Sequence, residues 1–291
     1  MKNRETILSP ESEIKKPIET RVVLEFMRHG KKEKADKPDE KIRLTPEGRA
    51  MATARGKELT PQADVSIAFG SPRERAQETA GRVMLAGNEN VGPESTLEEM
   101  QALIKKELSY GKKIASDPRL NFIAEESDPV GKAMLEAYAK GRLMDFLIHE
   151  SDELAKKTGD TNTTTYSREA ANVAEIVEKY LNVGNNFERI AKQNPEDYKK
   201  SSFRLERYLG THQSVGESFV AKLLENTQGV AERDGFIKAL GPGFAETAGF
   251  KVEIKNSAGN QEAVVSLKIK DKEWKIPLDS QILEQIIQER I

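Results

Sequence analysis

The chain of 291 residues has no cysteine and few histidines, with only His29, His149 and His212. Without a thiol there is no disulfide, no cysteine nucleophile and no thiolate metal site. Any imidazole chemistry must come from those three positions. The charge has no dominant sign: 46 Lys and Arg stand against 48 Asp and Glu. No broad field therefore favours nucleic acid or an anionic membrane, and the expected partner is a small ligand. No segment approaches the roughly 20 apolar residues that cross a bilayer, and residues 1–20 hold no apolar run of signal-peptide length, so a cytoplasmic location is expected. Oligomeric state is left open by these features.

What is present is organised. Residues 1–20 are polar and read as a flexible leader, with one domain expected over 21–291. Val22, Val23, Leu24, Phe26 and Met27, interrupted only by Glu25, make the nearly continuous apolar run of a strand covered on both faces. It stops at Arg28-His29-Gly30. After a lysine-rich loop, Thr45-Pro46-Glu47 opens a helix as N-cap, first-turn proline and first-turn acid, which runs to about Leu59. Val65 to Phe69 repeats the strand, Gly70-Ser71-Pro72 stops it, and a helix follows. Alternation of this kind predicts a three-layer α/β/α sandwich with a mostly parallel central sheet, its ligand lying beyond the strand ends. From Gln101 to Lys157 the chain is charged and helix-prone, which predicts a helical insertion or cap over about 101–165. Tyr166 to Leu181 is an amphipathic helix, Phe203 to Leu209 a strand ending at Gly210-Thr211-His212, and Ser218 to Leu224 a helix. Lys251 to Lys255, Ala263 to Lys270 and Trp274 to Ile276 alternate as strands before a closing helix from Gln281 to Arg290.

Four ordered elements carry a family resemblance: Arg28-His29-Gly30 after a buried strand, Leu44-Thr45-Pro46-Glu47-Gly48 at a helix start, Ser71-Pro72-Arg73-Glu74-Arg75-Ala76-Gln77-Glu78-Thr79-Ala80 at the next, and Thr211-His212 after a late strand. Together they resemble the histidine phosphatase superfamily with its phosphoglycerate-mutase-like fold. The resemblance implies that His29 is a nucleophile forming a phosphohistidine, and that Arg28, Arg75 and His212 hold the phosphate. It also implies an acidic general acid in a Leu-x-Glu segment after the second helix, which Leu97-Glu98-Glu99 matches with Glu99. The residues suit that chemistry. A loose phosphoryl transition state needs an in-line nucleophile and cations around its oxygens, and a guanidinium fork is a fixed, always charged phosphate ligand. Neutral imidazole is a nucleophile at physiological pH, and an alkoxide leaves poorly unless protonated. No cofactor and no metal is required.

Each assignment has a plainer rival. A histidine or arginine at a strand end is ordinarily a polar edge residue, Arg73 competes with Arg75, and Glu94 and Glu98 lie beside Glu99 in a carboxylate-rich chain. His149 reads as a solvated structural histidine. The cations Lys31, Lys32, Lys34, Lys37, Lys41 and Arg43 could steer a polyanion or simply keep a loop in water. Two departures shape the reading. Lys31-Lys32-Glu33-Lys34 replaces the run that glycolytic mutases of the superfamily carry after Arg-His-Gly, which favours a phosphatase. Gln213 stands where the family has a small glycine. The expected activity is thus a phosphomonoester hydrolase acting on a phosphorylated substrate of unknown identity, with a phosphomutase or a phosphate-binding regulatory protein of little turnover as alternatives.

Overall fold

The computed structural model describes residues 18–34, 36–60, 63, 65–107, 111–199 and 202–291. Residues 1–17 of the expected leader lie outside that range, and residues 19 and 20 already belong to the first strand. In chain order the elements are β1 (Glu19–Arg28), α1 (Pro46–Leu59), β2 (Val65–Gly70), α2 (Glu74–Met84), α3 (Leu97–Glu107), β3 (Lys112–Ser116), α4 (Pro129–Ala139), α5 (Leu143–Phe146), α6 (Asp152–Thr158), α7 (Tyr166–Gln193), α8 (Pro195–Lys199), β4 (Arg204–Thr211), α9 (Val215–Gln228), α10 (Val230–Leu240), β5 (Gly249–Ser257), β6 (Asn260–Ile269), β7 (Lys272–Leu278) and α11 (Ser280–Gln288). The described strands form one sheet in the order β3-β2-β4-β1-β5-β6-β7.

The sheet corrects the expectation of a mostly parallel one. The pairings β3–β2, β2–β4 and β4–β1 are parallel, while β1–β5, β5–β6 and β6–β7 are antiparallel. The parallel half is covered on both faces. Val22, Leu24, Phe26, Leu205 and Leu209 join a core with α7, α9, α10 and α11, whereas Met27, Ala68, Ile114 and Tyr208 join a second core with α1, α2 and α3. On β5, β6 and β7 burial alternates: Val252, Ile254, Val265 and Ile276 face the first core, and residues such as Lys251, Glu253, Lys255 and Lys268 take the other side. That period of two belongs to a sheet with one wet face. Among the described residues the sandwich therefore has three layers over the parallel half and two over the antiparallel half.

The helical segment is interrupted by a strand. Residues 101–107 belong to α3, residues 112–116 form an edge strand in register with β2 through Ala68↔Ile114, and helix resumes after Ser116. Ile114 is the one buried residue of that strand, which leaves little apolar pattern to read. Helix α7 runs twelve residues past Leu181 to Gln193 because Phe187 and Ala191 keep its inner face buried. Thr45 caps α1 as expected, accepting from Gly48 N at 3.0 Å.

Candidate active site

Two parallel strands in register end at the same level, so the residues that follow them are neighbours. β1 and β4 pair through Arg28↔Thr211, which brings His29 beside His212. The His29 amide continues the ladder to Thr211 O at 2.8 Å, and the two imidazoles meet edge to face with centroids 5.1 Å apart. β2 ends on the other side of β4 through Gly70↔Gly210, delivering Ser71 Oγ to 2.7 Å from His212 Nε2. Helix α2 can start directly over these ends because both glycines lack a side chain. A Cβ on Gly210 would lie 2.1 Å from Ala76 O, and one on Gly70 would lie 2.3 Å from Gln77 N.

His29 Nδ1 lies 2.7 Å from the Gly30 carbonyl oxygen. A carbonyl only accepts, so Nδ1 carries the proton and Nε2 keeps its lone pair. Burial, followed by the charges of Arg75, Arg28 and Lys32, pushes the His29 imidazole down to about 3, against the opposing pull of the Gly30 bond. Burial and the nearby His29, Arg73 and Arg75 push His212 well below its ordinary range as well. Both rings are neutral at physiological pH.

The cations converge from three elements. Arg28 donates through Nη1 to Phe244 O at 2.8 Å. Arg75, only 2% exposed, donates to the Asp39 carbonyl at 2.7 Å and to Asp39 Oδ2 at 3.0 Å. Arg73 meets the same Oδ2 at 2.9 Å and donates to Phe122 O at 2.6 Å. Lys32 stands 3.9 Å from the other Asp39 oxygen. Burial would raise the Asp39 carboxyl, but the Arg75 hydrogen bond and the charges of Arg73 and Arg75 outweigh it and hold it below the usual carboxylate range. The Nε atoms of Arg28 and Arg75 are buried with no hydrogen-bond partner among the described residues. Arg28, His29, Lys32, Asp39, Arg73, Arg75, His212, Gln213 and Glu246 share one cleft of about 420 Å³. Such a cradle of donors around neutral imidazole suits a phosphate or similar oxyanion.

Not every expected residue reaches it. Glu99 is exposed on α3, where Thr96 N donates to Glu99 Oε2 at 2.8 Å and Glu99 N to Thr96 Oγ1 at 3.2 Å. It closes a helix capping box and is not among the residues lining the cleft, so the structure does not bring it together with the histidines. Glu98 and Glu94 pair with Arg43 and Arg49. The lysine-rich loop is largely neutralised, with Lys31 on Glu47, Lys37 on Glu33, and Lys41 and Arg43 on Glu74; of its cations, Lys32 lines the cleft. His149 is exposed. Gln213 donates an amide N–H to the Pro242 carbonyl. The arrangement adds Ser71, Asp39 and Glu246, to which the sequence reading gave no role. Ser71 lies in the Ser71-Pro72-Arg73 segment that opens the second helix. Glu246 lies in the 241–248 stretch, which carries no periodic pattern, and Thr247 N ties that loop to Arg28 O at 3.0 Å.

Residues 24–137 match the family described as the Histidine phosphatase superfamily (branch 1). The resemblance seen in the motifs is borne out over that stretch, which contains Arg28, His29, Arg73 and Arg75, while His212 lies beyond it. Among solved structures, the chain is similar to one described as mycobacterial hydrolase 2, at 17% identity over 94% of this chain and 98% of that one, with a TM-score of 0.48. It is also similar to a mycobacterial glucosyl-3-phosphoglycerate phosphatase, at 17% identity over 81% and 90% of the two chains with a TM-score of 0.41. A phosphoglycerate mutase from Bacillus anthracis str. Sterne aligns at 16% identity over 92% and 98% with a TM-score of 0.40. No curated protein matches the chain.

Proposed function

We propose that the protein is a metal-independent phosphomonoester hydrolase that works in the cytoplasm through a phosphohistidine at His29. The observation that supports this most directly is the 2.7 Å bond from His29 Nδ1 to the Gly30 carbonyl, which leaves Nε2 unprotonated within a ring of cations. In the first step the Nε2 lone pair forms the P–N bond while the ester P–O bond breaks, its electron pair leaving on the alcohol oxygen. That oxygen takes a proton from a carboxyl. Glu246 is the candidate donor in place of Glu99, since the other carboxyl lining the cleft, Asp39, is held ionised by its arginines. In the second step water attacks phosphorus, its proton passes to the Glu246 carboxylate, and the P–N pair returns to Nε2 as inorganic phosphate forms. Arg28, Arg73, Arg75 and Lys32 supply the positive charge at the phosphoryl oxygens, and His212, braced by Ser71, adds a hydrogen bond.

The test is an acid-labile phosphoenzyme formed from a labelled phosphate ester, absent in His29→Ala, with turnover that survives EDTA. Turnover lost in EDTA and restored by a divalent cation would refute metal independence. The position of Glu99 outside the cleft favours a second reading, a phosphate-binding protein of little turnover. It predicts phosphate binding by wild type with no His29-dependent hydrolysis of any ester. A mutase would instead pass the label to an acceptor monophosphate.

A further inference from the structure

Resting on that hydrolase reading, we infer that the substrate is a small phosphate ester of an aromatic alcohol. The lining of the cleft has two unlike parts. The polar part is gathered around the histidines, since Gln213 adjoins His212 and the loop bearing Glu246 is bonded to Arg28. The apolar part of the lining, the apolar wall, is Phe122, Ala124, Leu135, Tyr138 and Leu143, contributed by the segment after β3, by α4 and by the start of α5, and it meets the cradle where Phe122 O accepts from Arg73 at 2.6 Å. Apart from the Tyr138 hydroxyl, that wall offers no polar side chain. Tyr138 is 53% exposed, unusual for a large aromatic residue of this chain.

A sugar or glycerol moiety against such a wall would leave its hydroxyls without partners, and unmet buried hydroxyls oppose binding. Gln213, with one amide N–H already on Pro242 O, has one N–H and its Oε1 left to serve them, fewer groups than a polyol presents. An aromatic ring loses nothing polar and gains apolar and ring-edge contacts with Phe122 and Tyr138. The volume of about 420 Å³ lies within the roughly 300–1,000 Å³ of small-molecule sites. Leaving-group chemistry points the same way. A phenol ionises near pH ~10, as tyrosine does, so an aryl oxide departs with far less proton assistance than an alkoxide. An aryl ester therefore asks less of Glu246, the proton donor proposed above.

The experiment compares kcat/KM of the full chain on phenyl phosphate, 1-naphthyl phosphate, free phosphotyrosine, a phosphotyrosine peptide, glycerol phosphate and glucose 6-phosphate. His29→Ala serves as control, and phenylphosphonate and methylphosphonate binding is followed by calorimetry. The expected preference for naphthyl over glucose phosphate is about 100-fold, on the scale of apolar pocket discrimination. Leu135→Ala, a change at a half-buried position, should lower the naphthyl-to-glycerol ratio about tenfold. Activity on the peptide equal to that on free phosphotyrosine supports the same ring chemistry from a protein-borne source. Sugar or glycerol phosphates hydrolysed as well as aryl esters would overturn the inference and leave the hydrolase standing. If no ester is hydrolysed in a His29-dependent way, the hydrolase reading fails. The wall is then judged by the phosphonates alone, where equal binding of phenyl and methyl forms rejects it and tighter phenyl binding lost in Leu135→Ala upholds it.

Discussion

Asp39→Asn tests how the cation cradle is occupied before a ligand arrives. The carboxylate sits 3.0 Å from Arg75 Nη2 and 2.9 Å from Arg73 Nε, where phosphate oxygens would sit, so an incoming anion has to displace it. Hydrogen bonds to charged groups contribute about 1.5–3 kcal/mol each when buried. With the Asp39 side chain 39% exposed, solvent reduces the pair together to about 1.5 kcal/mol, or about tenfold in an equilibrium constant. The substitution should therefore lower the inhibition constant for inorganic phosphate about tenfold. It should also cost about 1 kcal/mol of stability in phosphate-free buffer, because buried Arg75 keeps the backbone carbonyl of residue 39 but exchanges an ionised acceptor for a neutral amide oxygen. Phosphate should restore that loss by linkage. The sign of the pH dependence is fixed: the folded carboxyl titrates below its usual 3.8, so the contribution is complete above that value and disappears as pH falls through the lower folded value. Urea melts at pH 7 with and without phosphate, together with inhibition kinetics, measure both arms. Weaker or unchanged phosphate binding would refute the displacement argument and make Asp39 a strut that holds the arginines in position.

Other outcomes are equally specific. Because the folded His29 and His212 resist protonation while the unfolded chain takes protons near 6.5, stability should fall as pH drops below 6.5 towards about 3, measured by denaturant melts across that range. Glu99→Ala should cost about 0.5–1 kcal/mol through its helix cap and change turnover less than about twofold. Glu246→Gln, by contrast, should lower kcat at least about tenfold for an alkyl phosphate and less for an aryl one; equal effects would remove Glu246 as proton donor. Glu78→Gln should destabilise by about 3 kcal/mol, since Glu78, 1% exposed, neutralises Arg49 at 2.7 Å and Arg82 at 3.4 Å.

The parallel half of the fold is legible in the apolar runs Val22 to Met27 and Val65 to Phe69, and the motifs contain His29, His212, Arg28 and Arg75, which line one cleft. The antiparallel half was misjudged for a physical reason open to inspection. Ala258-Gly259 and Lys270-Asp271 leave room only for hairpin turns, and strands joined so tightly must run antiparallel. Glu99 carries a second signal in the sequence. Thr96 three residues before it already forms a capping-box pattern, a helix-start signal that competes with any catalytic reading of Leu97-Glu98-Glu99. Asp39 and Glu246 had no comparable signal, because each reaches the cleft only when a loop closes onto residues distant in the chain, 36 positions away for Asp39 and Arg75.

The order of the strands has one more consequence, for how copies of this chain can meet. The sheet ends at β3 on one side and β7 on the other. β3 carries Lys112 and Lys113 within five residues. β7 carries Lys272 and Lys275, and its Pro277 has no amide proton to offer a further strand. A neighbouring copy adding edge-on would have to desolvate lysines at either rim and forgo a ladder bond at one of them. Growth into fibres by strand addition is thereby discouraged at both margins.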